Sequence, residues 1–227
     1  MSDNYNDQVS SLKAHFETLF AHPPVELSSI IRESPLGPCS EALALAVLSS
    51  AQANPFSIDN LVQSLVRDLS ATEDLRFTDQ DAGYINTPFN IVFQEELADM
   101  LSDSLLTWAN SKQTDILHDN TFLSSALFAA SAIRNNLVTS SAIDEVVRQG
   151  LQFPGATINK EREEVMAIGA CLLLLVAGHV LLDKWVAEED RLEKVIKALE
   201  VFKEKAVVQR PSAMDLLEVR WPYLYIL

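Results

Sequence analysis

The sequence is poor in the residues that most catalytic sites and phosphate-binding loops require. It contains six glycines and four histidines among 227 residues, and it has no glycine-rich phosphate loop. Cys171 and His179 fall in one apolar stretch, but a helix would hold them about 12 Å apart along its axis, too far for a nucleophile and its base. The sequence therefore indicates no enzyme, no cofactor and no metal site.

Cysteine is also scarce, since only Cys39 and Cys171 are present. Two cysteines in apolar stretches make neither a disulfide framework nor a zinc site, and we predict that both are small core residues. The first residues, MSDNYNDQVSSLK, lack the basic and apolar regions of a signal peptide. We expect a reducing compartment, either the cytoplasm or the nucleus.

Basic residues are few in comparison with acidic ones. The chain has 17 Lys and Arg against 32 Asp and Glu, for a net charge of -15. Such a field repels bare nucleic acid and anionic membrane surfaces and attracts basic proteins. The alternative is that the acidity only keeps the protein in solution. The charge favours a protein partner without direct nucleic-acid or membrane binding, and it leaves the oligomeric state open.

One long run carries no charge, VMAIGACLLLLVAGHVLL at 165–182. Its length is near the minimum for a membrane span, but its flanks are mostly acidic and His179 lies inside it. We therefore favour a buried helix of a soluble protein. A face of mostly small side chains would let a neighbouring helix approach closely. This face comprises Ala167, Ala170, Cys171, Leu174, Ala177 and Gly178.

The remaining composition favours helices, so we predict an all-α fold. Hydrophobic periodicity and breaks predict helices at 5–21, 25–33, 39–53, 57–70, 89–110, 120–136, 140–151, 160–184, 189–206 and 211–219. The polar segment 72–86 is predicted to be the longest loop. Three residues are predicted to serve in helix capping, namely Ser57, Asp59 and Asp119. An apolar stripe on the fifth helix comprises Phe93, Leu97, Leu101, Leu105 and Trp108.

An internal repeat pairs an apolar helix with an amphipathic one. ALAVLSSAQAN at 44–54 matches ALFAASAIRNN at 126–136 in residue type at most positions. The helices that follow share an apolar-acid-polar-apolar-apolar start, which recurs at 58–62, 143–147 and 192–196. The spacing approximates a period of roughly 40 to 50 residues, typical of HEAT and armadillo arrays. Chance similarity between helices of a bundle is the alternative.

The stretch FLSSALFAASAIRNNLVTSSAIDEVVRQGL at 122–151 resembles the second and third helices of an armadillo repeat. It has the Ala-rich helix, Asn135 and Asn136 at the end of that helix, and Gly150 closing the next. We expect a single domain, 1–227, in which stacked helical hairpins form a short armadillo- or HEAT-like α-solenoid with approximate units 1–71, 72–156 and 157–227. The resemblance implies a non-enzymatic platform for peptides, basic segments, small GTPases or scaffold subunits.

We therefore predict a scaffold or adaptor that binds a basic segment or another subunit. Candidate contacts are acids that recur in the first turn of the repeated helices, where acids also stabilise the helix dipole. They are Asp59, Asp144, Glu145 and Glu193. The alternative is a constitutive structural subunit that uses an apolar C-terminal tail with Trp221, Tyr223 and Tyr225 as its interface. That tail is also compatible with a cover for the end of the solenoid or with the cut edge of a longer protein.

Overall fold

The part of the chain that the structure describes is predominantly helical and contains one small β-hairpin. A computed structural model describes residues 2–21, 26–110 and 116–138, and positions 169, 170, 172, 173, 176–178, 180 and 197. The helices are α1 (Ser2–Ala21), α2 (Leu27–Glu33), α3 (Leu36–Ala53), α4 (Ile58–Ser70), α5 (Phe89–Asn110) and α6 (Ile116–Arg134). A 3₁₀ turn at Pro55–Ser57 precedes α4, and the strands are β1 (Arg76–Asp79) and β2 (Tyr84–Pro88). The prediction of a mostly helical fold is confirmed.

The described residues divide into two compact units. The first comprises residues 2–101 with 135–138, and the second comprises 102–134 with the described positions from 169 onward. The division falls inside α5, where the sequence shows no break in composition. The expected units 1–71, 72–156 and 157–227 remain a prediction, as does the solenoid arrangement.

α3 is the central buried helix of the first unit. Ten of its eighteen residues are buried, and α1, α2 and α4 all pack against it. Small side chains, alanine above all, let these neighbours approach closely. Cys39 is buried here, which confirms its predicted core position, and burial raises the pKa of its thiol to about 12. Such a thiol is chemically inert at neutral pH. Cys171 lies outside the described residues.

α4 is the amphipathic partner that follows α3. It buries Ile58, Val62, Leu65 and Leu69, while Asp59 in its first turn is exposed. Ser57 occupies the N-cap position, but its hydroxyl donates to the carbonyl oxygen of Asn54 at 3.0 Å instead of accepting from the helix. The predicted capping by the Ser57 side chain is therefore wrong. The apolar-then-amphipathic pair is present in α3 and α4, while its next copy extends into 140–151, outside the described residues.

The ends of the seven-residue helix α2 are held by α4 and the turn after it. Glu26 makes no side-chain cap, and the amide of Leu27 instead donates to Oδ2 of Asp68 at 3.4 Å. At the other end, the guanidinium of Arg32 donates to the carbonyl oxygen of Ala71 at 2.7 Å and to both carboxylate oxygens of Asp74. Ala71 is the C-cap residue of α4. Each helix thus supplies a polar partner that an end of the other requires.

Replacing Asp68 by alanine should destabilise the protein by about 2 kcal/mol, because the buried carboxylate is the acceptor for the first amide of α2 and the partner of Arg67. The effect is measured by urea denaturation of the full chain. Asp81→Ala is the matched control, since Asp81 is exposed in the hairpin turn. Equal losses for the two variants would contradict the assigned role.

Segment 72–86 is not the loop that the sequence predicted, because it contains β1 and the start of β2, and the two strands pair antiparallel. Phe77 pairs with Thr87, and Asp79 pairs with Tyr84. In the turn, Oδ1 of Asp79 accepts the amides of Asp81 at 3.0 Å and Ala82 at 3.2 Å. Gly83 adopts a φ of 81°, which glycine takes without steric cost. The strands are short and rich in polar residues, which hides their alternation in the sequence.

The second unit contains an aromatic stack between α5 and α6. The rings of Trp108 and Phe122 lie with centroids 3.9 Å apart at an interplanar angle of 19°.

α6 begins at Ile116, so Asp119 lies inside the helix and its predicted capping position is wrong. The predicted stripe on α5 is confirmed as buried. Among the described residues, no helix combines the length and the apolar character needed to cross a membrane.

A glycine permits close packing against this stack. The described positions between 169 and 180 are helical, and a Cβ on Gly169 would lie 2.5 Å from a ring carbon of Phe122. Among the described residues, a Cβ on Gly178 would meet nothing within 4 Å. Ala170 and Ala177 of the predicted small face are fully buried, and a close approach occurs at Gly169, which lies outside that face.

Gly169→Ala should destabilise the protein by about 1–3 kcal/mol, because the buried, stacked ring of Phe122 has little room to move. Gly178→Ala is the matched control. It should leave stability unchanged or raise it by up to about 1 kcal/mol, since alanine favours helix more than glycine does. Thermal and urea denaturation of both variants measure the difference. If Gly169→Ala left the free energy of unfolding unchanged, Gly169 would have to lie farther from Phe122 of α6 than the 2.5 Å distance indicates.

Candidate interaction site

The acidic charge is concentrated in the first unit. Residues 1–101 contain fifteen Asp and Glu but only four Lys and Arg. Three of these cations are in ion pairs, namely Lys13–Glu17 at 3.0 Å, Arg32–Asp74 at 2.6 Å and Arg67–Asp68 at 2.8 Å. The fourth, Arg76, donates to the backbone oxygens of Glu73 and Leu75. Most carboxylates of this unit are therefore not balanced by its own cations.

Five carboxylates and two tyrosines come together between α1, α3, the hairpin and α5. We call this group the acidic face, and its members are Tyr5, Glu41, Asp79, Tyr84, Glu95, Glu96 and Asp99. Glu95 and Asp99 are exposed and lie four residues apart, on one side of α5. Ile91, one turn earlier, is also exposed. An apolar side chain therefore adjoins the acids.

Aromatic contacts hold the hairpin in place beside these acids. The hairpin packs against the start of α3 at Gly37, where a Cβ would lie at ordinary contact distance from the ring of Phe77, 3.4 Å, and from that of Tyr5, 4.0 Å. Phe77 also contacts Tyr84, with ring centroids 5.7 Å apart. The amide of Phe89 donates to the carbonyl oxygen of Leu75 at 3.0 Å and joins the base of the hairpin to α5. These contacts bring Asp79 and Tyr84 to the acids of α3 and α5.

The two phenols show that the field of this face is negative. Burial raises the pKa of Tyr84 to about 12, with further contributions from a hydrogen bond to Glu95 and from the charges of Glu96 and Asp99. Burial likewise raises the pKa of Tyr5, and Glu41, Glu96 and Asp79 raise it further. In the described part of the chain, no Lys or Arg is among the groups that shift either pKa. A field of this sign favours the approach of cations.

Glu96 is the carboxylate of this face with the clearest desolvation. Burial raises its pKa, and the charges of Glu41 and Asp99 raise it further, while the hydroxyl of Ser40 beside it lowers it. Its Oε2 atom is buried and has no hydrogen-bond partner among the described residues. Ionised Glu96 therefore costs stability at neutral pH.

Glu96→Gln should make the protein more stable at neutral and alkaline pH. A folded-state pKa above the ordinary value near 4.5 means that the folded protein binds the proton more tightly. The contribution of Glu96 is present below the unfolded pKa and is lost as pH rises through the folded one, whereas glutamine has no such loss. Denaturation between about pH 4 and about pH 8 should show a stability difference that grows with pH.

Glu33→Gln is the control for this pH series, because Glu33 is exposed at the end of α2. It removes the same charge from the same unit without touching the acidic face. A parent protein that is as stable as the Glu96→Gln variant at every pH would refute the assignment of a desolvation cost to Glu96.

Of the partner contacts predicted from the sequence, only Asp59 lies among the described residues, and all of them stay predictions. Asp59 is exposed in the first turn of α4, and it is not among the groups that shift the pKa values of the acidic face. The other predicted contacts lie outside the described residues. They are Asp144, Glu145, Glu193, Trp221, Tyr223 and Tyr225.

Sequence reasoning missed the acidic face because its members come from four separate segments. Two signals in the sequence point toward it. One is the excess of acids within residues 1–101, and the other is the spacing of four between Ile91, Glu95 and Asp99. Neither signal predicts that α1 and α3 contribute Tyr5 and Glu41 to the same surface.

A groove of about 880 Å³ opens elsewhere in the first unit, between the ends of α1 and α3 and one side of α4. The end of the motif at 44–54 forms one wall. The lining consists of Glu17, Phe20, Ala21, Leu27, Ser49, Ser50, Ala53, Asn54, Ser57, Asn60, Leu61, Ser64, Arg67 and Asp68. The described lining residues include no histidine or cysteine.

Among the described residues, no group of three or more His, Cys, Asp or Glu is arranged to hold a metal ion. No family model, curated protein or solved structure matches the chain. We therefore infer a function from the charges and contacts of the chain's own residues.

Proposed function

We propose that this protein is a non-enzymatic scaffold or adaptor that binds a basic segment of a protein partner, or a basic subunit, through the acidic face. The observation that carries the proposal is the excess of carboxylates in the first unit, whose few cations are engaged in ion pairs or in bonds to its own backbone. Complementary charge raises the association rate and selects the partner.

The chemistry of the face supports a peptide-like partner with both charge and apolar side chains. Glu95 and Asp99 offer carboxylates to Lys or Arg, while Ile91 and the partly exposed ring of Tyr5 offer apolar surface. Interfaces combine apolar anchors with a charged rim in this way. A bare polycation would use only the carboxylates.

As the fold of this scaffold we propose stacked helical hairpins that form a short armadillo- or HEAT-like α-solenoid. The buried helix α3 followed by the amphipathic α4 supports the repeating unit. A stack of such pairs presents an extended surface to a partner. The scarcity of cysteine supports a location in the cytoplasm or nucleus.

The test is the binding of a synthetic peptide that combines Lys, Arg and Leu, measured by isothermal titration. Neutralising the face with Glu95→Gln and Asp99→Asn should weaken binding by about 5- to 10-fold at low salt, if each charge contributes up to about 0.7 kcal/mol. Affinity for the parent protein should fall between about 50 mM and about 300 mM salt.

Glu26→Gln with Glu33→Gln is the matched control, because it removes the same net charge from exposed positions outside the acidic face. This variant should bind nearly as well as the parent. Equal losses for both double variants would mean that only the overall charge matters, and the acidic face would not be the site.

The alternative, a constitutive structural subunit whose interface is the tail with Trp221, Tyr223 and Tyr225, stays a prediction because the tail lies outside the described residues. Salt separates the two functions. A partner held by an apolar tail resists moderate salt, whereas a partner held on the acidic face is released.

A further inference from the structure

Phe56 is the most exposed of the large hydrophobic side chains that the structure describes, at 99% of its accessible surface. It stands on the 3₁₀ turn Pro55–Ser57 between α3 and α4. An aromatic ring buries about 150–250 Å² when it docks, so contact with another molecule would remove a large apolar area from water here. The turn therefore holds an aromatic side chain that is almost fully exposed to solvent.

The groove lies directly beside this anchor, because Asn54 and Ser57 flank Phe56 and both line the groove. Its apolar lining includes Phe20, Ala53 and Leu61, and its volume of about 880 Å³ is ample for an aromatic ring. Phe56 is not part of that lining. The groove can therefore receive a phenyl ring from a second molecule, since the ring of Phe56 in the same chain does not occupy it in this structure.

The charges of the groove differ from those of the acidic face. Glu17 is paired with Lys13, and Asp68 is paired with Arg67, so a basic occupant would gain little here. The side chain of Arg67 is 66% exposed, and only its Nε is bonded, so its terminal nitrogens have no acceptor in the described part of the chain. Both carboxylates of the groove are therefore paired and Arg67 is engaged with one of them, so the apolar side chains of the lining are what the groove offers an occupant.

We propose that the groove binds a second copy of this chain, with Phe56 of each copy inserted into the groove of the other. Anchor and receptor lie on one patch, so a two-fold axis through that patch would form both contacts at once. Each groove is then completed by a side chain that the second copy contributes. This inference uses none of the residues of the acidic face and stands independently of the proposed function.

The test is the molar mass of the full chain in solution, measured by light scattering and sedimentation from about 1 μM to about 500 μM, the range in which modest interfaces dissociate. We expect a monomer–dimer equilibrium that tightens as salt rises, because two copies of charge -15 repel each other. Binding of a basic peptide to the acidic face has the opposite salt dependence. One result can therefore fail without the other.

Phe56→Ala should weaken the dimer at least about 30-fold, the loss typical of a central aromatic contact. Ala53→Trp, which places an indole in the groove from an exposed position, should weaken it comparably. Ile85→Ala is the matched control, since Ile85 is 73% exposed on the hairpin, away from the groove. Far-ultraviolet circular dichroism checks that each variant is folded.

Two results would overturn the proposal. One is a monomer at every concentration and salt. The other is a dimer that survives both Phe56→Ala and Ala53→Trp, which would place the contact elsewhere in the chain. A dimer lost in both variants and kept in Ile85→Ala would establish the groove as its interface.

Discussion

The first unit has to build its structure with four cations against fifteen carboxylates, and this shortage shapes both its stability and its surface. Arg32 is used at the ends of α2 and α4, Arg67 beside the buried Asp68, and Arg76 at the start of the hairpin. Lys13 holds Glu17 within α1. Cations that are bonded at helix ends and turns do not neutralise the acidic face. A cation of a partner molecule would therefore bind most favourably there.

The sequence predicted the helices well because their signals are local. Periodicity and breaks located α1 to α6 within a few residues, and the amphipathic character of α4 followed from the spacing of its apolar residues. The hairpin was missed because its strands are short and its turn is made of the same polar residues that mark loops. Tertiary contacts stabilise the strands: the ring of Phe77 packs on α3 at Gly37, and the amide of Phe89 at the start of α5 donates to the carbonyl oxygen of Leu75.

Residues of the acidic face could be predicted from the sequence only where they lie on a single helix. The stripe at Ile91, Glu95 and Asp99 is visible as a spacing of four, but Tyr5, Glu41 and Asp79 join it only through the fold. The capping roles show the same limit, since Ser57 bonds backwards to Asn54 and Asp68 serves a helix 41 residues away. Gly169 and Gly178 look alike in sequence, yet only Gly169 lies against a ring.

The two surfaces of the first unit would act together if both proposals hold. A symmetric dimer through Phe56 carries two acidic faces, and neither face is consumed by the contact because the groove is lined by other residues. A partner with two basic segments would then bind the second segment at a raised effective concentration. Dimerisation and partner binding respond to salt in opposite directions, so avidity of this kind would be greatest at intermediate ionic strength.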